Sequence, residues 1–272
     1  MAASPKTLIF FLFFCSVVLP GMSKPAETVN TIQTEEITYQ IGDQSFTGFY
    51  AYDASVKEKR PGVLVVHEWW GHNQHARNRA IMLAKAGYPA FALDMYGSGK
   101  LAAHPQDAET FMNEAMASAE IIPQRFDRAL EWLKQQHQVD ADKLAAIGYC
   151  FGGAVVLNMA RAGKELDAVA SFHGVLAPKV KAVPGQVKTK VAVFNGADDP
   201  YVPPEQVAAF ENEMHEAGID YTLKNYPGVV HSFTNPEANA NGEAFQMPLK
   251  YDEAADKDSW QGMLDVFRDA FQ

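Results

Sequence analysis

Apolar and polar residues change their spacing several times along this chain, and each change marks an element. From Ile37 to Asp53 the two kinds alternate, ITYQIGDQSFTGFYAYD, around Gly42-Asp43; this is the pattern of a hairpin. Pro61-Gly62 then leads into VLVV at 63–66, a run short and apolar enough for a buried strand. Residues 75–86 predict a helix closed by Gly87, and 89–95 the next strand. Phe126, Ala129, Leu130 and Leu133 fall at i, i+3, i+4 and i+7, one face of a helix. Strands follow at 144–147, 168–172, 191–194 and 221–226. Between them lie helices at 151–162, ending at Gly163, and around Val207, Phe210 and Met214, stopping at Gly218. Trp260, Met263, Leu264, Phe267 and Phe271 form the apolar stripe of a last helix. Strands alternating with helices predict an α/β fold, a mostly parallel sheet with helices on both faces. Such sheets carry their sites in loops at the C-terminal ends of the strands.

The first residues follow a different rule. Lys6 precedes an apolar stretch at 8–19, Pro20-Gly21 breaks it, and Gly21-Met22-Ser23 puts small residues at both ends of a cleavable triplet. We read 1–23 as a signal peptide, 24–34 as a polar linker and 35–272 as the folded domain. The expectation is export, to a periplasm or the outside, with no membrane attachment after cleavage, since twelve apolar residues are too few to span a bilayer. A net charge of -10 opposes phosphate backbones and argues against nucleic acid as a partner. Of the two cysteines, Cys15 lies inside the leader, so cleavage leaves Cys150 as a lone thiol.

Four reactive residues follow predicted strands: Glu68, Cys150, Asp199 and His231. The last three run nucleophile, acid, histidine, which is the chain order of the α/β-hydrolase fold. GYCFGG, 148–153, has the form of that fold's nucleophile elbow with sulfur in place of oxygen. A thiol attacks as thiolate, which the following helix start favours. His231 suits the general base, and Asp199, with Asp198 as fallback, the group that orients it. The N–H groups of Phe151 and Trp69 are the expected oxyanion donors. Trp70, Tyr96, Tyr201 and Phe233 fall near strand ends and are candidates to line a substrate pocket. His67, His72 and His75 lie within nine residues but straddle a strand end, a loop and a helix start. That spacing defines no ligand face, so no metal is expected, and the chemistry needs no cofactor.

HEWWG (67–71), LAKAGYPAFALDMYG (83–97), GYCFGG, NGADDPYVP (195–203) and YPGVVHSF (226–233) together resemble the dienelactone hydrolase family. The resemblance spans most of the chain beyond residue 34. It implies a cysteine hydrolase of small esters or lactones acting through Cys150, His231 and Asp199. It also implies that Glu68 rests against the thiol and takes its proton when substrate binds. The family's arginines for a substrate carboxylate would stand at Ser98 and Asn235, and Lys100 is a weak substitute. The chemistry therefore carries over, while the charged substrate does not. Rival readings are a thioesterase or broad carboxylesterase, and a small-molecule binding module on the same fold.

Overall fold

The computed structural model describes Met1, Ala2 and residues 31–272. Residues 3–30, most of the stretches expected to be a signal peptide and a linker, therefore lie outside the described residues. The alternating segment folds as a hairpin of β1 (Ile32–Ile41) and β2 (Gln44–Asp53), with Ile41 paired to Gln44 across the two-residue Gly42-Asp43 turn. Strand β1 starts inside the stretch read as linker: Ile32, Gln33 and Thr34 pair with Asp53, Tyr52 and Ala51. These residues carry too little apolar character to announce a strand; β2 supplies their partners.

Next come β3 (Arg60–Val66), α1 (Gln74–Lys85), β4 (Ala90–Leu93), α2 (Pro105–Ala115) and α3 (Ile121–Lys134). Then follow β5 (Val139–Tyr149), α4 (Phe151–Arg161), β6 (Ala168–Phe172), β7 (Lys190–Gly196), α5 (Pro204–Ala217), β8 (Tyr221–Tyr226), α6 (Ala238–Phe245) and α7 (Glu253–Ala270). The eight strands form one sheet in the order β1-β2-β4-β3-β5-β6-β7-β8, antiparallel across β1, β2 and β4 and parallel from β4 onward.

Each central strand is apolar on both faces, because helices cover both. Leu64, Val66, Val191 and Val193 pack with α3, α4 and α5, while Val63, Val65, Ala192 and Phe194 pack with α1 and α7. Period-two alternation thus divides one run between two cores. Helix α1 begins at Asn73, whose side chain accepts from the His75 N–H at 3.2 Å. Helix α5 ends at Gly218, left-handed at φ 64°. The sequence pattern did not anticipate α2 or α6. Each buries two residues, Ala108 and Ala115 in α2 and Ala238 and Gly242 in α6, too few for a helical stripe. Among the described residues no helix is long and apolar enough to cross a membrane.

Candidate active site

The C-terminal ends of β3, β5, β6, β7 and β8, adjacent in the sheet, present Glu68, Cys150, His173, Asp199 and His231 along one edge. Cys150 stands between β5 and α4 at φ 53° and ψ -115°, a backbone conformation an L-residue adopts only when its surroundings compel it. The surroundings do so. A Cβ on Gly148 would sit 2.0 Å from the Gly152 carbonyl oxygen, and one on Gly152 would sit 2.3 Å from that of Val66. Only glycine allows β3, β5 and α4 to close so tightly around the turn. The Cys150 N–H donates to the Phe172 carbonyl at 3.0 Å and also to His173 Nδ1 at 3.2 Å. His173 in turn donates from Nε2 to Thr234 Oγ1 at 2.8 Å. Burial holds its ring far below the usual histidine range, and so neutral.

His231 Nδ1 lies 2.7 Å from Asp199 Oδ2, and the Tyr201 N–H donates to Oδ1 at 2.8 Å, so both oxygens of the buried carboxylate are engaged. Asp198 is exposed, which leaves Asp199 as the partner. Burial disfavours the charged imidazole, but the Cys150 sulfur and the Asp199 carboxylate outweigh it and push His231 up to about 10. Cys150 itself is half-buried and its thiol free. The ring of Tyr201, 40% exposed, stands edge-on to His231 at 5.0 Å and forms the solvent side of the group.

Glu68 is buried, and both of its carboxylate oxygens are engaged by the loop after β8. It accepts from Ser232 Oγ at 2.5 Å and Asn235 Nδ2 at 2.6 Å. Burial raises its pKa and the two hydrogen bonds hold that rise back. Asn235 is therefore a buried anchor for Glu68 and not part of a pocket wall. Phe233 is likewise a correction: fully buried, it packs beneath the site against His173 and Tyr226, at 5.3 and 5.5 Å between ring centroids. Trp70 is buried with Ala108, Ala238 and Leu249 in a side cluster under α2 and α6. Ser98 is exposed and tied to the hairpin through Thr47 Oγ1 at 2.8 Å. Tyr96 is buried beside Phe151 and His67, its hydroxyl unpartnered, and burial and the nearby Cys150 raise its pKa beyond the usual tyrosine range.

The N–H groups of Trp69 and Phe151 have no protein acceptor among the described residues. The histidines near them are engaged separately, His67 with Glu68 and Met95, and His75 with Thr234 and Arg79 at Nε2 and, at 3.8 Å from Nδ1, with Glu68. Among the described residues no three metal-binding side chains cluster. Pattern reading had no signal for the supporting shell of Ser232, Thr234, His173, and Arg79, which bridges the Thr234 carbonyl at 2.5 Å and Asp256 at 2.7 Å. A surface hollow of about 680 Å3 between the hairpin tip and α3 is lined by Gln40, Glu120 and Asp127 among others. It holds no nucleophile, so reactive groups and not volume locate the site.

Sheet order, elbow and strand-end loops define an α/β-hydrolase. The model of the "Dienelactone hydrolase family" matches residues 46–271, and the chain belongs to that family. It is 34% identical, at a TM-score of 0.83, to a dienelactone hydrolase-like promiscuous phosphotriesterase from metagenomic libraries, covering 89% of this chain and 99% of that one. A solved structure titled m3DLH is 36% identical at the same TM-score, covering 89% and 100%. A candidate carboxymethylenebutenolidase from Aquifex aeolicus is 29% identical over 68% of this chain and 81% of its own. The protein is thus a carboxylic ester hydrolase of the dienelactone hydrolase kind.

Proposed function

We propose that the enzyme cleaves small, uncharged esters or lactones with Cys150 as nucleophile, His231 as base and Asp199 as orienting acid. The observation that carries this reading is the 2.7 Å contact of His231 Nδ1 with Asp199 Oδ2, on an imidazole whose charge the neighbouring Cys150 sulfur favours. The Cys150 thiol passes its proton to His231 and its sulfur attacks the carbonyl carbon, and the resulting oxyanion is held by the N–H groups of Trp69 and Phe151. Collapse breaks the ester C–O bond, and His231 gives its proton to the leaving oxygen. Water, deprotonated by His231, then attacks the thioester, releasing the acid and restoring the thiol.

Neutral substrates are favoured because Ser98 and Asn235 are uncharged and Asn235 is occupied by Glu68, itself a buried carboxylate. Glu68 serves the thiol by moving between its Ser232–Asn235 anchor and the sulfur. Residues 1–23 direct export; the intact mass of the secreted protein would show their removal, and a retained leader would refute it.

The decisive experiment compares wild type with Cys150→Ala on enol-lactones, short aryl esters, acyl thioesters and a neutral phosphotriester, the last because a relative is named for that activity. Loss of turnover in the variant is expected, with aryl esters or neutral lactones preferred. Equal rates in both proteins would end the cysteine mechanism. Preference for thioesters would favour the thioesterase reading.

A further inference from the structure

We infer that His67 is a positioning residue of the oxyanion site, its imidazole fixing the plane of the Glu68–Trp69 peptide. This rests on the reading that the Trp69 N–H is an oxyanion donor. His67 is fully buried, and no step of the proposed reaction uses it. Its Nε2 faces the Met95 N–H at 3.1 Å, and its Nδ1 faces the Glu68 carbonyl oxygen at 2.5 Å. An amide N–H can only donate, so Nε2 accepts. Burial keeps the ring neutral, which leaves a single proton, and that proton sits on Nδ1. It therefore points at a carbonyl that can only accept.

The Glu68 C=O and the Trp69 N–H belong to one planar peptide unit. Fixing the oxygen fixes the direction of the N–H on the opposite side. The Gly71 N–H donates to the same oxygen at 3.2 Å, and two donors on one carbonyl polarise the peptide and strengthen its N–H as a donor. The ring cannot swing away, because Tyr96 stands edge-on to it at 4.7 Å and Phe151 lies against it at 6.1 Å. The main chain of His67 completes the arrangement. Its carbonyl accepts from the Gly152 N–H at 3.1 Å, in the helical turn that carries the Phe151 N–H. One residue thus ties the peptide of one donor to the turn that holds the other.

The test uses two substitutions with opposite losses. Asn at position 67 puts an amide nitrogen near the place of Nδ1 and keeps the donor to Glu68. Gln reaches the place of Nε2, keeps the acceptor for Met95 and loses that donor. Two reactions of Cys150 then separate orientation from general damage. Acylation by p-nitrophenyl acetate forms an oxyanion; alkylation by iodoacetamide, in which sulfur displaces iodide from carbon, does not.

In His67→Gln the acylation rate constant should fall about tenfold to hundredfold, less than the loss of an oxyanion donor outright, with alkylation unchanged. His67→Asn should lose clearly less. Equal losses in the two variants, acylation unchanged in His67→Gln, or alkylation falling in step with acylation would each overturn the inference. Should the variants fail to fold, long-range nitrogen NMR of the wild type decides: a neutral ring protonated on Nδ1 supports it, and any other state of His67 overturns it. A wild type with no acylation at Cys150 would instead sink the cysteine reading, an outcome the alkylation control distinguishes.

Discussion

His231 keeps a proton that burial alone would remove. The Cys150 sulfur and the Asp199 carboxylate hold its pKa near 10, against an ordinary value of 6.5. A histidine raised in the folded state stabilises the fold in full below its unfolded value and loses that contribution as pH rises through the folded one. Asp199→Asn removes one of the two supports, so it should melt below wild type at pH 6, by roughly 3 °C for each kcal/mol lost in a chain of this size. The gap should narrow between pH 6.5 and pH 10. Parallel thermal melts check this, and a gap that widens with pH would reverse the assignment. Glu68 poses a second question of charge. If its carboxylate restrains the thiolate, Glu68→Gln should speed iodoacetamide alkylation of Cys150 severalfold at pH 7. An unchanged rate would leave Glu68 as the anchor of Ser232 and Asn235 alone.

Strand β3 meets helix α4 at the point where Gly152 passes the Val66 and His67 carbonyls. A methyl group there would lie 2.3 and 2.7 Å from two backbone oxygens, which cannot retreat as a side chain can. Gly152→Ala should therefore cost about 1–3 kcal/mol as overpacking and also displace the Phe151 N–H, lowering acylation more than alkylation. Urea melting with both rate assays tests this, and wild-type stability with wild-type acylation would refute it. That contact was half legible in the sequence: GYCFGG announced the elbow, but nothing announced which carbonyls the glycine must pass. The same limit applies to whole elements. Strands β3, β5, β6 and β7 are legible because both faces are apolar where they are buried, β8 because its residues alternate at the sheet edge, and α3 and α7 because each buries a continuous stripe. The start of β1 and helices α2 and α6 depend on partners distant in the chain. So does the shell around the site: its matching position makes Asn235 a candidate for contact with substrate, and only the folded loop turns it toward Glu68.

Across the whole molecule, 33 acidic residues face 23 lysines and arginines, a net charge of -10. Such a surface raises the cost of bringing any anion to the sheet edge where Cys150 lies. At the edge itself Glu68 is a buried carboxylate, and Ser98 and Asn235 supply no positive charge to offset it. Both fields act in the same direction, and salt separates them. The surface field is screened as the Debye length falls from about 30 Å at 0.01 M salt to about 8 Å at 0.15 M, whereas the buried carboxylate is screened far less. For a lactone bearing a carboxylate, kcat/KM should rise severalfold over that range and still remain below that of its methyl ester. For a neutral aryl ester it should stay flat, since no charge is being steered. A rate for the anionic lactone that falls as salt is added would mean that a cationic subsite draws it in, and the assignment of neutral substrates would have to be abandoned.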